Sequence, residues 1–283
     1  MAMRIAFQGE IGAFSEEAAR LLFPEGIPQP VASFDAVFAA VHDGAVERGI
    51  VPIENSLQGS VHSNYDLLEE HELRIVGEVS LRIRHNLLVL PGTELDQIRS
   101  VKSHPQALGQ CRRFLKEHLP DVEAIPAYDT AGAAREVSHL GNPAVAAIAS
   151  ERAGAEYGLT ALREGIESNH QNYTRFLALA RPGTQPDVET ATDLRWKTSI
   201  IYAMRNNVPG ALFKSLAVFA LREIDLFKIE SRPLVGSPGQ YLFYLDLDGS
   251  EEDHGVQNAV GHLREIAAYV KVLGSYLTGR VVE

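Results

Sequence analysis

The chain has 283 residues, of which 45% are hydrophobic, and a formal net charge of −11. This length suggests two domains, and the apolar content is ordinary for a protein that buries a core. The acidic balance argues against nucleic-acid binding, which needs a basic face to release phosphate counterions. No apolar run reaches the length of a membrane span, so no membrane partner is expected.

The N-terminus lacks an apolar signal segment, and Cys111 is the single cysteine of the chain. One cysteine excludes an intramolecular disulfide and a cysteine-rich metal site, and the histidines show no metal-ligand spacing. We therefore expect a cytoplasmic protein with no metal and no cofactor. Cys111 is expected to pack in the core.

A buried strand is predicted at residues 3–7, followed by a glycine loop at 9–15 and a helix capped by Ser15. A strand, a glycine loop and a helix start together form a candidate anion site. The spacing matches neither the phosphate loop of nucleotide hydrolases nor the dinucleotide fingerprint. An ordinary turn is the alternative.

The plan of a strand, a polar loop and a helix recurs along the next hundred residues. Further strands are predicted at 49–53, 75–79, 81–90, 122–125 and 144–149, with 81–90 crossing between lobes. Ser103 or His104 is expected to cap a helix starting at Pro105. Gln106 and Gln110 lie four apart, on one face of that helix. The alternation predicts an α/β fold with parallel strands.

The stretch 168–176 is polar in its first half and leads into the apolar run 177–180. Ligands of open α/β sheets bind beyond strand ends, so this loop is expected to form one wall of a cleft. The alternative is a polar turn before an edge strand, and the pattern leaves open which lobe the stretch joins.

Residues 181–187 combine proline, glycine and polar residues and predict a linker. Beyond it, strands are predicted at 197–204, 227–233, 240–246 and 270–276, with helices at 209–222 and 253–269. This βαββαβ order is the ferredoxin-like plan. The polar loops before the linker offer Ser, Thr, Asn and Gln, which suit holding an anion and supplying one hydroxyl donor. A binding protein and an undemanding enzyme both fit.

Seven short motifs in order resemble those of prephenate dehydratase with a C-terminal ACT regulatory domain, and equally those of arogenate dehydratase. They lie at residues 9–15, 52–56, 103–106, 129–131, 172–176, 209–212 and 230–233. The resemblance covers essentially the whole chain. It implies a two-lobed, periplasmic-binding-protein-like catalytic domain at 1–182, with lobes near 1–80 plus 165–182 and near 81–164. It also implies a ferredoxin-like ACT domain at 195–283.

The implied reaction converts prephenate to phenylpyruvate, with loss of water and carbon dioxide, in phenylalanine biosynthesis. By resemblance, Thr174 donates to the departing hydroxyl. Its hydroxyl roughly matches water, whose pKa is about 15.7, so a shared proton is plausible only as the C–O bond breaks. The resemblance places substrate-binding groups at Asn55, Ser103 and Gln110. Arg175 either binds a substrate carboxylate or points away as scaffold.

The same resemblance assigns Phe176 and Arg232 to structural roles near the sites. It implies feedback inhibition by L-phenylalanine, bound between two ACT domains of a tetramer built as a dimer of dimers. The effector residues would be Gly210, Ala211, Leu212, Glu230 and Ser231. Two alternatives remain: arogenate as the substrate, and a non-enzymatic binding protein that senses amino acids.

Overall fold

The computed structural model of the protein describes residues 2–186, 195–234 and 236–283, which form three β-sheets and their covering helices. The strands are β1 (Arg4–Gln8), β2 (Ile27–Val31), β3 (Arg48–Asn55), β4 (Gly59–Ser60), β5 (Arg74–Arg82), β6 (Asn86–Val89), β7 (Ser100–Ser103), β8 (Glu123–Pro126), β9 (Val145–Ala149), β10 (Thr160–Arg163), β11 (Tyr173–Ala180), β12 (Trp196–Met204), β13 (Leu226–Pro233), β14 (Tyr241–Asp248), β15 (Ala267–Leu277) and β16 (Val281–Val282). The α-helices are α1 (Phe14–Leu22), α2 (Phe34–His42), α3 (His62–Glu70), α4 (Pro105–Gln110), α5 (Arg112–His118), α6 (Thr130–Leu140), α7 (Glu151–Glu156), α8 (Ala211–Ala220) and α9 (His254–Ile266). The last residue of the predicted linker, 187, lies outside the described residues.

The first sheet has the order β16-β5-β11-β3-β1-β2, with β4 paired to β3. The predicted parallel pairing is found between β1 and its neighbours β2 and β3, whereas β11 inserts antiparallel between β3 and β5. The stretch 168–176 therefore enters the first sheet. Helix α1 covers one face of this sheet, and α2, α3 and the third sheet cover the other.

The second sheet has the order β10-β6-β9-β7-β8. Its strands β7, β8 and β9 are parallel, while β6 runs antiparallel to β9 and β10. The strand predicted at 81–90 is two strands, because the chain leaves β5 at Arg82 and enters the second sheet at Asn86. Cys111 is fully buried in the core of this sheet, as predicted, and burial raises the pKa of its thiol.

The third sheet has the order β13-β14-β12-β15, with every neighbouring pair antiparallel. Helices α8 and α9 cover one face, in the βαββαβ element order, and the other face packs on the first sheet. The two sheets meet closely where a Cβ built on Gly274 would lie 2.3 Å from the Ile75 carbonyl oxygen. The short strand β16, which sequence reasoning missed, then pairs with β5. Among the described residues, no helix is long and apolar enough to cross a membrane.

Candidate active site

A cleft of about 560 Å³ lies where the first and second sheets face each other. Both sheets end here in polar residues, as the recurring plan predicted. Of the residues proposed from the sequence for substrate contact or catalysis, the structure brings together Asn55 from β3, Gln110 from α4 and Thr174 from β11, with Phe176 beside them. Gln106 lines the same cleft, so the predicted face of α4 that carries both glutamines is confirmed.

Three helices of at least nine residues begin at the wall of this cleft, namely α1, α2 and α6. The N-terminal ends of helices present unpaired N–H groups and the positive end of the helix dipole. Ser33 and Asp129 cap α2 and α6 by accepting the N–H groups of Ala36 and Gly132. Within the described residues no lysine or arginine lines the cleft, so a bound anion would be held by dipoles and neutral donors.

Thr174 and Asn55 lie directly opposite each other in the pairing of β11 with β3. The Asn55 side-chain nitrogen donates to the Thr174 hydroxyl oxygen at 3.0 Å. The orientation of the Asn55 amide is set by its own oxygen, which accepts the backbone N–H groups of Leu57 and Gln58 at 3.0 and 3.1 Å. In the part of the chain that the structure describes, no group accepts the Thr174 proton. The Thr174 hydroxyl is therefore free to donate into the cleft.

A chain of hydrogen bonds continues from Asn55 across to the second sheet. The Asn55 amide nitrogen also donates to the Asn172 side-chain oxygen at 2.8 Å, and the Asn172 nitrogen donates to Gln110 Oε1 at 3.1 Å. The same Gln110 oxygen lies 2.7 Å from His85 Nε2. Because Gln110 Oε1 is already an acceptor, His85 carries its proton on Nε2. The chain thus orders the amides along one wall of the cleft.

His85 is only 3% exposed and lies at the crossing between β5 and β6. Burial lowers the pKa of its imidazole, against the opposing effects of Gln110 and Glu167. His85 is therefore neutral near pH 7. Its second ring nitrogen, Nδ1, is buried and has no hydrogen-bond partner among residues 2–186, 195–234 and 236–283.

The structure does not bring Ser103 and Arg175 into this cleft. Ser103 is fully buried, and its hydroxyl donates to the Ile148 carbonyl at 2.6 Å, so it ties β7 to β9. Arg175 follows Thr174 in an extended strand and points to the opposite face of the sheet. There it contacts Glu78 at 2.7 Å and Asp246 at 2.6 Å. This geometry supports the scaffold alternative for Arg175.

The glycine loop at residues 9–15 lines the cleft, but its helix is not capped by Ser15 as predicted. Helix α1 starts two residues earlier than that cap requires, at Phe14, with Ala13 as its N-cap. The buried Glu16 carboxylate accepts the Gly12 N–H at 2.6 Å and so ties the glycine loop to the first turn of α1. Gly12 has φ +91°, and a Cβ there would lie 2.6 Å from Ala153 Cα. Only glycine lets the first sheet approach α7 this closely.

The proposed effector residues lie on the third sheet. Gly210 has φ 82° and precedes α8, where Ala211 and Leu212 help line a small recess of about 30 Å³ together with Phe243. Ser231 lies opposite Phe243 in the strand pairing, on the face that carries α8.

Glu230, the neighbour of Ser231, points to the other face of the third sheet. Its carboxylate accepts the Ser60 hydroxyl at 2.6 Å. This placement does not bring Glu230 to the start of α8. Arg232 shares its face and contacts Asp66 at 2.8 Å, which fits a structural role.

Sequence reasoning missed His85 and Tyr128. His85 gave no signal, because a lone histidine after a strand is more often a packed residue than a site residue. Tyr128 follows β8 of the second sheet and contacts the first sheet across the cleft: its hydroxyl accepts the Gln8 amide N–H at 2.9 Å and donates to the Ala32 carbonyl. Because the Tyr128 side chain is 67% exposed, it is a contact across the mouth of the cleft and not a core residue.

A second, larger groove of about 1010 Å³ is lined mainly by charged side chains, including Arg20, Arg84 and Glu164. None of Asn55, Gln110 and Thr174 lines it. The smaller cleft is the candidate active site because the ordered amides, the free hydroxyl and the helix N-termini converge there.

Comparisons with known proteins agree on one family. The family model for prephenate dehydratase matches residues 5–184. Arogenate dehydratase/prephenate dehydratase 2 of Arabidopsis thaliana is 46% identical over 97% of this chain and 72% of its own length. The crystal structure of prephenate dehydratase in complex with L-Phe from Arthrobacter aurescens is 33% identical, with a TM-score of 0.87 over 98% of this chain and 90% of that one. GqqA, described as a quorum-quenching acylase, is 34% identical, with a TM-score of 0.86 over 98% of both chains.

The comparisons correct one expectation from the sequence. A cytoplasmic location was inferred from the absence of an apolar signal segment and of a membrane span, together with the single cysteine. That inference is wrong by this comparison, because several of the similar plant enzymes are named chloroplastic. Targeting to a plastid uses polar, amphipathic leader sequences, which an apolar criterion does not detect.

Proposed function

We propose, from the premise that this chain belongs to the prephenate dehydratase family, that its cleft removes the ring hydroxyl and one carboxyl group of prephenate. The products are phenylpyruvate, water and carbon dioxide, so the enzyme is a lyase. The observation that carries the assignment of roles is the hydrogen bond from Asn55 to the Thr174 hydroxyl at 3.0 Å.

In this reaction the bond between the ring and its carboxylate breaks, and its electron pair moves through the ring to expel the hydroxyl group. The ring becomes aromatic, which supplies the driving force. The departing hydroxyl gains negative charge and needs a donor. Asn55 already donates to Thr174 Oγ1, so the Thr174 proton points away from Asn55 and is available to the leaving oxygen. Proton donation by a positioned group typically contributes ~10²–10⁴-fold.

The remaining polar groups bind and orient the substrate. The N-terminal ends of α1, α2 and α6 would hold its carboxylates. Gln110 keeps a fixed orientation because its oxygen accepts from both Asn172 and His85, which leaves its NH₂ group for the substrate. The test is to incubate the protein with prephenate and follow the absorbance of phenylpyruvate. A protein that binds prephenate without forming product would support the sensor alternative.

Arogenate is a second candidate substrate, favoured by the charges of the cleft. Asp35 and Asp129 line it, and in the described chain no lysine or arginine does. Arogenate carries an ammonium group where prephenate has a keto oxygen, so these carboxylates favour it electrostatically. Comparing kcat/KM for both substrates decides between them.

The likeness to an acylase gains no support from the cleft. Acyl transfer to a protein side chain needs a nucleophile activated by an adjacent base. Among the described residues, neither histidine that lines the cleft is hydrogen-bonded to a serine, threonine or cysteine side chain: His85 Nε2 bonds to Gln110, and His104 Nδ1 accepts the Gln106 N–H. The assignment therefore stays with the dehydratase.

The division of labour within the chain is part of the proposal. Residues 1–182 would form the catalytic unit, with a two-lobed arrangement like that of periplasmic binding proteins, and residues 195–283 an ACT regulatory unit. L-phenylalanine would bind near Gly210, Ala211, Leu212 and Ser231 and inhibit the reaction. The similar Arthrobacter enzyme was crystallised with L-Phe, which supports this choice of effector.

A tetramer built as a dimer of dimers would complete the effector site. The third sheet ends in an edge strand, β13, where Ile229 is 47% exposed, and helix α8 exposes Phe213 at 75%. Exposed apolar groups beside an open strand edge favour association. Sedimentation velocity with and without phenylalanine tests the assembly, and calorimetry with phenylalanine tests effector binding.

A further inference from the structure

Seven charged side chains meet between the first and third sheets, on the face of β3 and β11 that is turned away from the cleft. We call them the interface charge cluster. Four are acidic and three are basic: Glu54, Glu78, Glu230, Asp246, Arg175, Lys197 and Lys228.

A β-bulge in β3 directs Glu54 into the cluster beside Arg175. In the pairing of β3 with β11, Arg175 lies opposite Glu54 and Phe176 lies opposite Pro52, so Ile53 is the extra residue. A bulge reverses the alternation of side chains beyond it. Glu54 therefore shares the face of Arg175, and the next residue, Asn55, shares the face of Thr174.

Ion pairs cross the interface from each of these two strands. Glu54 lies 3.0 Å from Lys228 of β13, and Arg175 lies 2.6 Å from Asp246 of β14. Lys228 and Asp246 are themselves directly opposite each other in the third sheet. Glu54 and Arg175, which lie opposite each other in the first sheet, are thus joined by ion pairs to Lys228 and Asp246, which lie opposite each other in the third sheet.

The cluster is nearly closed to water at its centre. The side chains of Glu78 and Lys197 are 6% and 8% exposed and lie 2.6 Å apart. Burial raises the pKa of Asp246, but Arg175 and Lys197 outweigh it and hold that pKa below its usual value. Separating one partner of a buried ion pair from the other would leave an uncompensated charge, which is costly. The intact ion pairs therefore resist displacement of the cluster's side chains.

Two members of the cluster on the first sheet are immediate chain neighbours of residues in the candidate active site. Glu54 precedes Asn55, and Arg175 follows Thr174, so consecutive Cα atoms are only about 3.8 Å apart. The Asn55–Thr174 hydrogen bond is therefore held from behind by ion pairs to the third sheet. A misplacement of about 1 Å at a catalytic group can reduce the rate by roughly a hundredfold.

We infer that Glu54 and Arg175 are positioning residues, which fix the Asn55–Thr174 pair in register through Lys228 and Asp246 of the third sheet. The inference rests on the proposed dehydratase function. It makes the third sheet a structural part of the active site, so any ligand that shifts β13 or β14 acts directly on the catalytic strands.

The test uses the full chain and two neutralising substitutions, Glu54→Gln and Asp246→Asn. Glu54 is 38% exposed, so Glu54→Gln retains the fold. The matched control is Glu251→Gln. This substitution removes another ion pair between the first and third sheets, that of Glu251 with Arg74. Arg74 lies opposite Ala180, at the end of β11 that is far from Thr174.

We expect both test variants to lose about tenfold or more in kcat, with KM within twofold of wild type, while the control keeps wild-type values. Unchanged kcat in both folded test variants overturns the inference. An equal loss in Glu251→Gln also overturns it, because general docking of the two units would then explain the effect. If the wild-type chain turns over neither prephenate nor arogenate, the proposed function fails first, before any variant is compared.

Discussion

The Thr174 hydroxyl can be removed with little change of shape by the substitution Thr174→Val. A methyl group then replaces Oγ1, so the donor to the leaving hydroxyl is lost. General acid catalysis contributes ~10²–10⁴-fold, and each tenfold equals about 1.36 kcal/mol, so the barrier should rise by roughly 3–5 kcal/mol. The KM should change much less, because the helix N-termini and Gln110 still bind the substrate.

Thr174→Val should lower the free energy of unfolding only slightly, so the variant should remain folded and its activity can be measured. Asn55 loses one acceptor but retains the Asn172 side chain at 2.8 Å and the Tyr173 carbonyl at 3.2 Å. The penalty should therefore fall at the low end of the ~1–3 kcal/mol for an unsatisfied buried donor. Urea unfolding of both proteins measures it.

The assay follows phenylpyruvate formation from prephenate and phenylalanine formation from arogenate. Thr174→Ser is the matched control, since it keeps the hydroxyl and should stay within about tenfold of wild type. A folded Thr174→Val variant with turnover within a few-fold of wild type would refute the role of the hydroxyl. Loss of activity in the Ser variant as large as in the Val variant would point to packing instead.

Three further predictions follow from the hydrogen bonds of the site. Gln110→Leu should raise KM and lower kcat by about tenfold each, because Asn172 and His85 lose the acceptor that orders them; steady-state kinetics showing wild-type values would contradict this. Ser103→Ala should lower the free energy of unfolding by ~1 kcal/mol, since the Ile148 carbonyl loses its donor, yet leave KM unchanged. The depressed pKa of His85 implies stability that is present above the unfolded-state pKa of 6.5 and is lost as pH falls below it. That loss is up to about 1.4 kcal/mol per pH unit, and His85→Gln should remove this part of the slope in urea unfolding between about pH 5 and 7.5.

The same strands serve two purposes on their two faces. One face of β3 and β11 presents Asn55 and Thr174 to the cleft, and the other meets the third sheet through Arg175 and Glu54. A ligand that binds to the third sheet could therefore affect Asn55 and Thr174 through these direct contacts, without a long chain of intervening residues. One peptide unit separates each ion pair from the Asn55–Thr174 hydrogen bond.

The sequence by itself predicted much of the order of elements, and its family resemblance proposed the central residues of the site. Buried strands that end in Ser, Thr or Asn are local patterns, so Asn55, Gln110 and Thr174 could be placed at strand ends and on a helix face without knowing how the chain folds. Alternation within β11 also requires Thr174 and Arg175 to point in opposite directions. The alternation does not tell which of these two side chains faces the cleft.

Only the tertiary structure decided the faces and the partners. The bulge at Ile53 reverses the alternation of β3, so a regular reading of this strand assigns Glu54 and Asn55 to the wrong sides. Ser103 sits at a strand end like Asn55, yet its hydroxyl is taken by the Ile148 carbonyl of a neighbouring strand. Strand registers, bulges and ion pairs between sheets depend on residues far apart in the chain, and for that reason local pattern does not contain them.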